Sequence, residues 1–480
     1  MILTFTLVGI VLIGVLGFVG RRKPVADLAE WTVGGRRFGA MTMWFLQAGE
    51  VFTTFTFLGM AGLAFSGGVA AMYALPYVPI AYVVLFFLAK RLWTMGKDRG
   101  YLTQGDFLED RFSSRTLGTL SAVLGVIFVL PYLQLQITGL GLIVRLVTGD
   151  NASGTLSMVT GSVLIVAFVL WAGLRGVAAT SYFKDGVMLV ALVVLIIAVP
   201  THFAGGIPAV FHKIEQLHPE KLIVHSGAND HVWFITSMLV SAIGVGLMTL
   251  PHSWPALMSA RDPKVLRRNY AWMPVYELCL LLPMVIGFAA ILVVPKGSAS
   301  HKADPNGVLL TLSKDALPGW VTGVVVVAAT ATAMVPAAGI LIGISSLVAR
   351  NIVRVRSGRK QFWINHGTVV VASTLALVLG IFRPDLLANL LLLTYSGSVQ
   401  LAPANLLGFF RRVPVGKGPV LAGLVAGELV VIWLTFVDTH LVGTVNVGLV
   451  GLGANVVVLA LAALVQRQLV QRQASPQEAA

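Results

Sequence analysis

Four ionisable residues lie inside long apolar stretches of this sequence, where a charge is costly to bury. Glu50 lies within the glycine-rich run from 47 to 62. His252 follows a proline in a second run, and Lys184 and Asp185 are adjacent in a third. Carboxyl, imidazole and ammonium groups all bind and release protons. These residue types predict proton exchange, or binding of a charged ligand, at a buried site.

No constellation of residues typical of an enzyme is present in the sequence. The nine histidines have no metal-ligand spacing, and there is no phosphate-binding loop or nucleophile elbow. The single cysteine, Cys279, lies in an apolar run, which excludes an intrachain disulfide and favours a small buried side chain. The sequence therefore predicts neither enzyme activity nor a resident metal.

The composition indicates that lipid is the solvent for much of the surface. Of the 480 residues, 57% are hydrophobic and 11% are charged, whereas a soluble protein carries about 25% charged residues. The net charge of +14 comes from short basic clusters between apolar runs, a pattern of membrane topology. A nucleic-acid partner is not expected, because no basic surface with interleaved aromatic residues is present.

Membrane-spanning helices of about 20 apolar residues account for almost the whole chain. We predict thirteen, at 2–20, 40–66, 69–90, 116–146, 155–174, 177–200, 232–258, 270–294, 318–349, 365–382, 386–410, 418–437 and 444–466.

The basic residues orient these spans. Arg21-Arg22-Lys23 follows the first apolar run, the reverse of a cleaved signal peptide, so we expect that run to remain as a helix with its N-terminus outside. This orientation places 27 of the 34 Lys and Arg residues on the inner side. The C-terminal tail from Gln471 to Ala480 then lies inside.

Two predicted spans contain helix-breaking sequences. The second span has glycines around Glu50, and the seventh reads GVGLMTLPHSWP from Gly244 to Pro255. Irregular backbone at membrane depth usually lines a cavity. The two spans run in opposite directions, so they predict an inverted-repeat transporter with its site at the midplane. Each glycine alone is equally consistent with close helix packing.

For several of the intramembrane charges, a structural role is an alternative to a functional one. Lys184 lies near the inner end of its span, where a lysine can extend its ammonium to the interface. Adjacent helical residues point about 100° apart, so Lys184 and Asp185 are not expected to form a simple pair. Glu428, in a late span, favours a structural role, and Glu277 in the eighth span has no assigned role.

Several motifs resemble those of the sodium/solute symporter family, and the resemblance covers nearly the whole chain. Within that family the sequence is most similar to bacterial monocarboxylate permeases. The family motifs are WTVGGRRFG at 31–39 and LTQGDFLEDRF at 102–112. The closer match rests on Pro251-His252-Ser253 with Arg267-Arg268-Asn269, on Gly173-Leu174-Arg175 with Lys184-Asp185, and on Met334–Ala338 with Ala349–Ile352.

The resemblance implies a leucine-transporter-like fold that works by alternating access around a midplane site. It divides the chain into a first helix and linker (1–39), a first repeat of helices 2–6 (40–201) and an outer loop (202–231). A second repeat of helices 7–11 (232–410) and a C-terminal pair of helices with an inner tail (411–480) follow.

The family's sodium site is expected to be degraded in this chain. The resemblance implies sodium ligands from carbonyls of the second helix, matching Gly49 and Phe52, and from hydroxyls of the ninth helix. Val335 and Pro336 stand at those hydroxyl positions, and Ser181 replaces an acidic residue of the sixth helix. Sodium, a hard cation, requires oxygen ligands that a valine lacks. A shifted register would bring Thr330 and Thr332 there instead.

A proton is the natural substitute for sodium as the coupling ion, because a titratable side chain changes its charge when it binds a proton. Lys184 lies three residues beyond Ser181, hence on a similar face, and a lysine can occupy a vacated cation site. We predict coupling by Glu50, Lys184 and His252.

The sequence therefore predicts an inner-membrane importer of a small monocarboxylate such as lactate, pyruvate or acetate, coupled to H+ rather than Na+. The predicted substrate-binding residues are Thr53, Thr56, Thr249, His252, Trp254 and Tyr395. A sodium-coupled symporter of another small solute is the alternative on the same fold. A channel or membrane sensor is the alternative from a different class.

Overall fold

The computed structural model describes residues 2–19, 28–148, 151–294, 304–355, 358–383, 385, 387–438 and 441–474. Within these residues every regular element is a helix, apart from one isolated β-bridge between Phe38 and Ala260. The predicted all-α class is confirmed. Part of the predicted tail, 475–480, lies outside the described residues, as do six of the basic residues used for orientation, Arg21, Arg22, Lys23, Lys296, Lys302 and Arg356.

The first half of the chain forms eight α-helices. They are α1 (Ile2–Val19), α2 (Leu28–Val33), α3 (Ala40–Val51), α4 (Met60–Gly67), α5 (Ala74–Arg99), α6 (Gln104–Phe112), α7 (Arg115–Thr148) and α8 (Asn151–Ala204). Two short segments flank α4: Phe55–Gly59, with π geometry, precedes it, and Gly68–Tyr73, with 3-10 geometry, leads from it to α5. Gly68 has a φ of 61° and marks a break between α4 and α5.

The second half forms twelve more. They are α9 (Ile207–Leu217), α10 (His231–Gly246), α11 (Ser253–Ser259), α12 (Pro263–Tyr276), α13 (Leu281–Val293), α14 (Val308–Ala316), α15 (Gly319–Leu347), α16 (Gly358–Phe382), α17 (Leu387–Ser398), α18 (Ala402–Phe409), α19 (Lys417–Phe436) and α20 (Val447–Ala474).

Every predicted span overlaps one or more of these helices. In the described part of the chain, nine helices are long and apolar enough to cross a bilayer. The count of thirteen and the orientation remain predictions.

The fifth and sixth predicted spans meet at a sharp break inside α8. Gly173 has a φ of 55° there, a left-handed value that favours glycine. A β-carbon at 173 would also lie 2.8 Å from the carbonyl oxygen of Trp31. Both constraints explain the glycine at this corner.

Helix α15 forms the centre of the bundle. Every residue from 325 to 338 is buried, which fits a helix that is apolar on all faces. It packs against α1, α7, α8 and α16. By contrast, the peripheral helices α16, α19 and α20 expose large apolar side chains such as Val371, Trp433 and Leu461. Those helices are suited to contact with lipid.

The second predicted span is broken, as its glycines indicated. Helix α3 ends at Val51, and Phe52 leaves helical geometry with a ψ of 90° before the chain resumes through the π turn and α4. Gln136 on α7 accepts a hydrogen bond from the Thr54 amide at 3.2 Å. A neighbouring helix thus satisfies a backbone group freed by the break.

The seventh predicted span is broken between α10 and α11. Met248 adopts a positive φ of 56° between them. The side-chain amide of Asn405 on α18 donates to the carbonyl oxygens of Leu247 at 2.8 Å and Met248 at 3.1 Å. Gln104 on α6 in turn donates to Asn405 at 3.2 Å. Both breaks therefore have specific partners in the surrounding bundle.

Two motifs singled out in the sequence meet at one end of the bundle. Asp106 forms a capping box with Thr103 at the start of α6. Its carboxylate also pairs with Arg350 and accepts from the side-chain amide of Asn351 at 3.0 Å, both in the π turn that ends α15. This network joins segment 102–112 to segment 349–351.

Candidate functional site

A small cavity of about 50 Å³ lies between the two helix breaks. One water molecule needs about 10–15 Å³ of such a cavity volume. The cavity therefore has room for roughly three to five waters, or for one molecule of a few heavy atoms. Its polar wall is formed by Glu50, Thr53, Tyr77, Tyr82, Tyr132, His252, Ser253 and Tyr395. Three predicted substrate residues (Thr53, His252 and Tyr395) and the predicted coupling residue Glu50 are therefore brought together.

His252 follows the break of the seventh span and presents its imidazole to the cavity. The residue is 5% exposed, and its ring lies 5.4 Å from the ring of Tyr132. Its Nδ1 atom has no hydrogen-bond partner among the described residues. Behind it, a β-carbon at Gly343 of α15 would lie 2.7 Å from the Cα of His252. The backbone of His252 is thus closely packed against α15, while one ring nitrogen has no partner among the described residues.

Tyrosine hydroxyls supply further hydrogen-bonding groups. The hydroxyls of Tyr77 and Tyr395 lie 3.4 Å apart, and Tyr132 donates to the backbone oxygen of Glu50 at 3.4 Å. The Glu50 side chain lines the same cavity. The site therefore combines neutral donors with one carboxyl group, whose charge depends on protonation.

Lys184 places its ammonium in the break of the second span. Its Nζ donates hydrogen bonds to the carbonyl oxygens of Gly49 at 3.0 Å and Phe52 at 2.7 Å. Asp185 Oδ1 lies 2.7 Å from the same nitrogen, an ion-pair distance, although neither Asp185 oxygen receives a well-directed hydrogen bond. An ammonium has three donors and no acceptor, and here it faces three oxygens.

Two sequence-based expectations about Lys184 are wrong. It does not extend to the interface, because its side chain is fully buried, and it does pair with Asp185. The reason lies in the break of the second span, which frees carbonyl oxygens inside the bundle. The flexible four-carbon stem lets the ammonium reach them while remaining beside its sequence neighbour.

The hydroxyl groups near the expected sodium site bond to their own helices. Ser181 donates to the Val177 oxygen at 2.8 Å, and Thr330 and Thr332 donate to carbonyl oxygens of α15 at 2.8 and 2.7 Å. Val335 and Pro336 are buried in the same helix. A β-carbon at Gly49 would lie 3.0 Å from Ser181 Oγ and 3.4 Å from Lys184 Nζ, so this glycine admits the lysine.

Three predicted substrate residues lie outside the cavity wall. Thr56 donates to the Val51 oxygen at 2.7 Å and Thr249 to the Gly244 oxygen at 2.9 Å. The fully buried Trp254 donates through its indole nitrogen to the Met248 oxygen at 2.7 Å. These side chains donate to carbonyl oxygens beside the two breaks.

Sequence reasoning missed the tyrosines of the cavity wall on α5 and α7. Tyr77 and Tyr82 on α5, and Tyr132 on α7, lie within apolar spans. A tyrosine in such a span is often an interfacial anchor. Their position in the middle of a predicted span, away from either end, was the available signal.

The architecture defines a class of protein. A Na+-coupled sialic acid symporter of known structure superposes with a TM-score of 0.80, at 15% sequence identity, over 97% of both chains. This chain therefore has the leucine-transporter-like fold of secondary transporters.

The family follows from the sequence comparison. The chain belongs to the sodium:solute symporter family, whose model matches residues 31–425. It is 35% identical to the uncharacterized symporter YhjB of Bacillus subtilis, over 90% of this chain and 88% of that one. It is 30% identical to a monocarboxylate transport permease protein of Rhizobium johnstonii, over 88% and 85%. The protein is a multi-pass membrane symporter that couples a solute to a cation.

Proposed function

We propose that this protein imports a short monocarboxylate, of the lactate, pyruvate or acetate type, together with protons across the bacterial inner membrane. The observation that carries this proposal is the position of Lys184. Its ammonium fills the space between the Gly49 and Phe52 carbonyl oxygens, where the family resemblance expects a sodium ion. Because the Lys184 ammonium occupies this space, no room is left there for a metal ion.

The coupling proton then requires another group, and Glu50 supplies it. Its side chain lines the cavity between the breaks. A charged Glu50 repels an anionic substrate, whereas a protonated Glu50 does not and can donate a hydrogen bond to it. Proton and carboxylate consequently favour each other's binding, which is the linkage that a symporter needs.

The size and chemistry of the cavity support a small carboxylate. The volume of about 50 Å³ suits a ligand of a few heavy atoms. His252, Thr53 and Tyr395 present polar groups to it. Hydrogen bonds to a charged acceptor contribute more than those to a neutral one. The relative named as a monocarboxylate permease points to the same substrate class.

Uptake by purified protein in proteoliposomes tests this proposal. A panel of labelled lactate, pyruvate, acetate and proline is supplied while a pH gradient and a sodium gradient are imposed separately. We expect concentrative uptake of a monocarboxylate on a pH gradient, inside alkaline, with little response to sodium at fixed pH. Equilibration without accumulation would instead indicate a channel, and no flux at all would indicate a sensor.

The alternative is sodium-coupled symport of another small solute. The structural neighbour is described as a Na+-coupled sialic acid symporter, which favours this alternative at the level of the fold. A steep, saturable sodium requirement at fixed pH would establish it and would refute proton coupling.

A further inference from the structure

Glu277 is a buried carboxyl group with no part in the cavity. It lies in a 3-10 segment, Glu277–Leu280, that interrupts a span between α12 and α13, with Pro274 before it and Pro283 after it. The residue is 0% exposed. Neither carboxyl oxygen has a hydrogen-bond partner among the described residues. A buried carboxyl without a partner calls for an explanation in terms of charge.

The surroundings of Glu277 do not compensate a negative charge. Electrostatic interactions connect it to Lys184 and Asp185 on α8, one of each sign. The Lys184 ammonium donates to the Gly49 and Phe52 oxygens and lies 2.7 Å from Asp185 Oδ1, so three nearer oxygens already share its positive charge. The other ionisable groups that interact with it are Tyr82, Tyr395, Tyr276 and Cys279.

An unpaired carboxylate in such a position would be far more costly than a neutral acid. The conformation in hand is therefore one in which Glu277 carries a proton. This proton is separate from the one assigned to Glu50, because Glu277 does not line the cavity.

A groove on the bundle surface begins one residue from Glu277 in the sequence, at Tyr276. The side chain of Tyr276, the residue before Glu277, packs edge-on against Phe52 with ring centroids 4.9 Å apart. Tyr276 also lines a groove of about 600 Å³ between α3 and α12, together with Trp44, Arg268 and Trp272. The groove opens on the bundle surface at the end that bears Ala40 and Arg268, which the charge pattern predicts to be inner.

We propose that Glu277 is a second proton-carrying site, loaded in this conformation and released toward the groove. On release, the carboxyl O–H bond breaks, the proton passes to water in the groove, and the carboxylate remains. This inference rests on the proposed proton–monocarboxylate symport. Transport of one proton with one monocarboxylate moves no net charge, whereas transport of two protons with one monocarboxylate moves one positive charge. Transport through the wild-type protein is therefore electrogenic.

The test is the response of accumulation to membrane potential. Proteoliposomes receive a potassium diffusion potential, inside negative, at equal pH on both sides. One charge moved through ~100 mV gains about 2.3 kcal/mol, which corresponds to roughly 50-fold in accumulation ratio. We expect this gain for wild type. Glu277→Gln, which mimics the protonated acid, should lose it while still accumulating substrate on a pH gradient.

Glu428→Gln is the matched control. Glu428 on α19 is likewise buried, at 4% exposure, with neither oxygen hydrogen-bonded among the described residues. We expect this variant to keep the response to potential. Counterflow exchange of labelled substrate verifies that each variant is folded.

A measurement on wild type alone keeps the inference testable if Glu277→Gln fails to fold. A pH-sensitive dye inside the vesicles counts protons against labelled substrate, and the expected ratio is two. A ratio of one, or pH-driven accumulation without a response to potential, refutes the role of Glu277 and leaves the proposed function intact. The same holds if Glu277→Gln keeps the response. Absence of any pH-driven accumulation in wild type refutes the proposed function itself.

Discussion

The Nζ atom of Lys184 lies 2.7 Å from the carbonyl oxygen of Phe52, inside a break of a membrane-spanning helix. The side chain is fully buried. A backbone carbonyl at such a break lacks the amide partner that a continuous helix would provide. The lysine therefore satisfies the broken backbone and supplies a positive charge at the same point.

Removal of Lys184 should create a site for a metal ion. Lys184→Ala leaves the Gly49 and Phe52 carbonyl oxygens and the Asp185 carboxylate around an empty space, a set of ligands suited to a hard cation. We expect the variant to be less stable, since breaking a buried pair costs about 3–5 kcal/mol. Sodium should raise the thermal unfolding temperature of this variant in detergent. At a sodium concentration a hundredfold above Kd, the free energy of unfolding should increase by about 2.7 kcal/mol.

Lys184→Met provides the control for this prediction. Methionine occupies a similar volume without charge or donor, so sodium should not stabilise that variant. Wild type should also not respond. If sodium has no effect on Lys184→Ala, the carbonyl oxygens around Lys184 do not form a latent cation site.

Glu50→Gln should separate substrate exchange from proton coupling. Glutamine resembles the protonated acid in nearly the same shape, and Glu50 lines the cavity. Exchange of labelled substrate should survive, while accumulation driven by a pH gradient should be lost. Glu50→Asp, which keeps a titratable group, should retain part of the accumulation. Accumulation by Glu50→Gln at the wild-type level would mean that Glu50 is not the coupling site.

His252→Ala should weaken substrate binding without unfolding the protein. His252 lines the cavity, and its Nδ1 atom has no hydrogen-bond partner in the described part of the chain. A hydrogen bond to a charged group contributes about 1.5–3 kcal/mol, so the apparent affinity should fall roughly 10- to 100-fold. Titration of labelled substrate measures the change, and His231→Ala, at the exposed start of α10, serves as a comparison. Equal affinities in the two variants would remove His252 from the binding site.

Asp262→Ala should destabilise the start of α12. The Asp262 carboxylate accepts hydrogen bonds from the Lys264 and Val265 amides at 2.9 and 3.0 Å. Loss of such a cap costs about 1 kcal/mol, whereas Asp262→Asn should cost little, because asparagine also caps helices. Thermal unfolding in detergent compares the variants.

The same cap predicts a dependence on pH. Partial burial acts to raise the pKa of Asp262, but hydrogen bonds from the Val265 and Lys264 amides, with Arg261 alongside, lower it below its usual 3.8. The charged form therefore contributes stability above the unfolded-state pKa, and this contribution is lost as the pH falls through the folded-state pKa. The stability advantage of wild type over Asp262→Ala should therefore shrink under acid conditions, whereas the advantage of Asp262→Asn over Asp262→Ala should not.

The sequence was sufficient to predict the fold class and both helix breaks. Apolar runs of bilayer length reveal the helices, and glycines and prolines in otherwise apolar spans reveal the interruptions. The break at Gly173 coincides with the gap between two predicted spans. Helical periodicity could not foresee the pairing of Lys184 with Asp185, because the path of a long flexible side chain depends on where the freed carbonyls lie.

The sequence analysis named cavity-lining residues beside the breaks, together with Tyr395 on α17, but it did not name the tyrosines of α5 and α7. Thr53 and His252 adjoin the irregular backbone, which the sequence marks. Tyr77 and Tyr132 reach the cavity from helices that continue past Pro79 and Pro131 without a break. Thr56 and Trp254 do not line the cavity, and each donates a hydrogen bond to a local carbonyl oxygen.

The close approach of Gly343 to His252 has a consequence for engineering. On that side, backbone packs against backbone, and a β-carbon at 343 would lie 2.7 Å from the Cα of His252. The tyrosine side, with Tyr77 and Tyr395, is made of side chains that can be shortened. Directed evolution toward bulkier solutes should therefore accumulate substitutions at the tyrosines, while position 343 should stay glycine in every functional lineage.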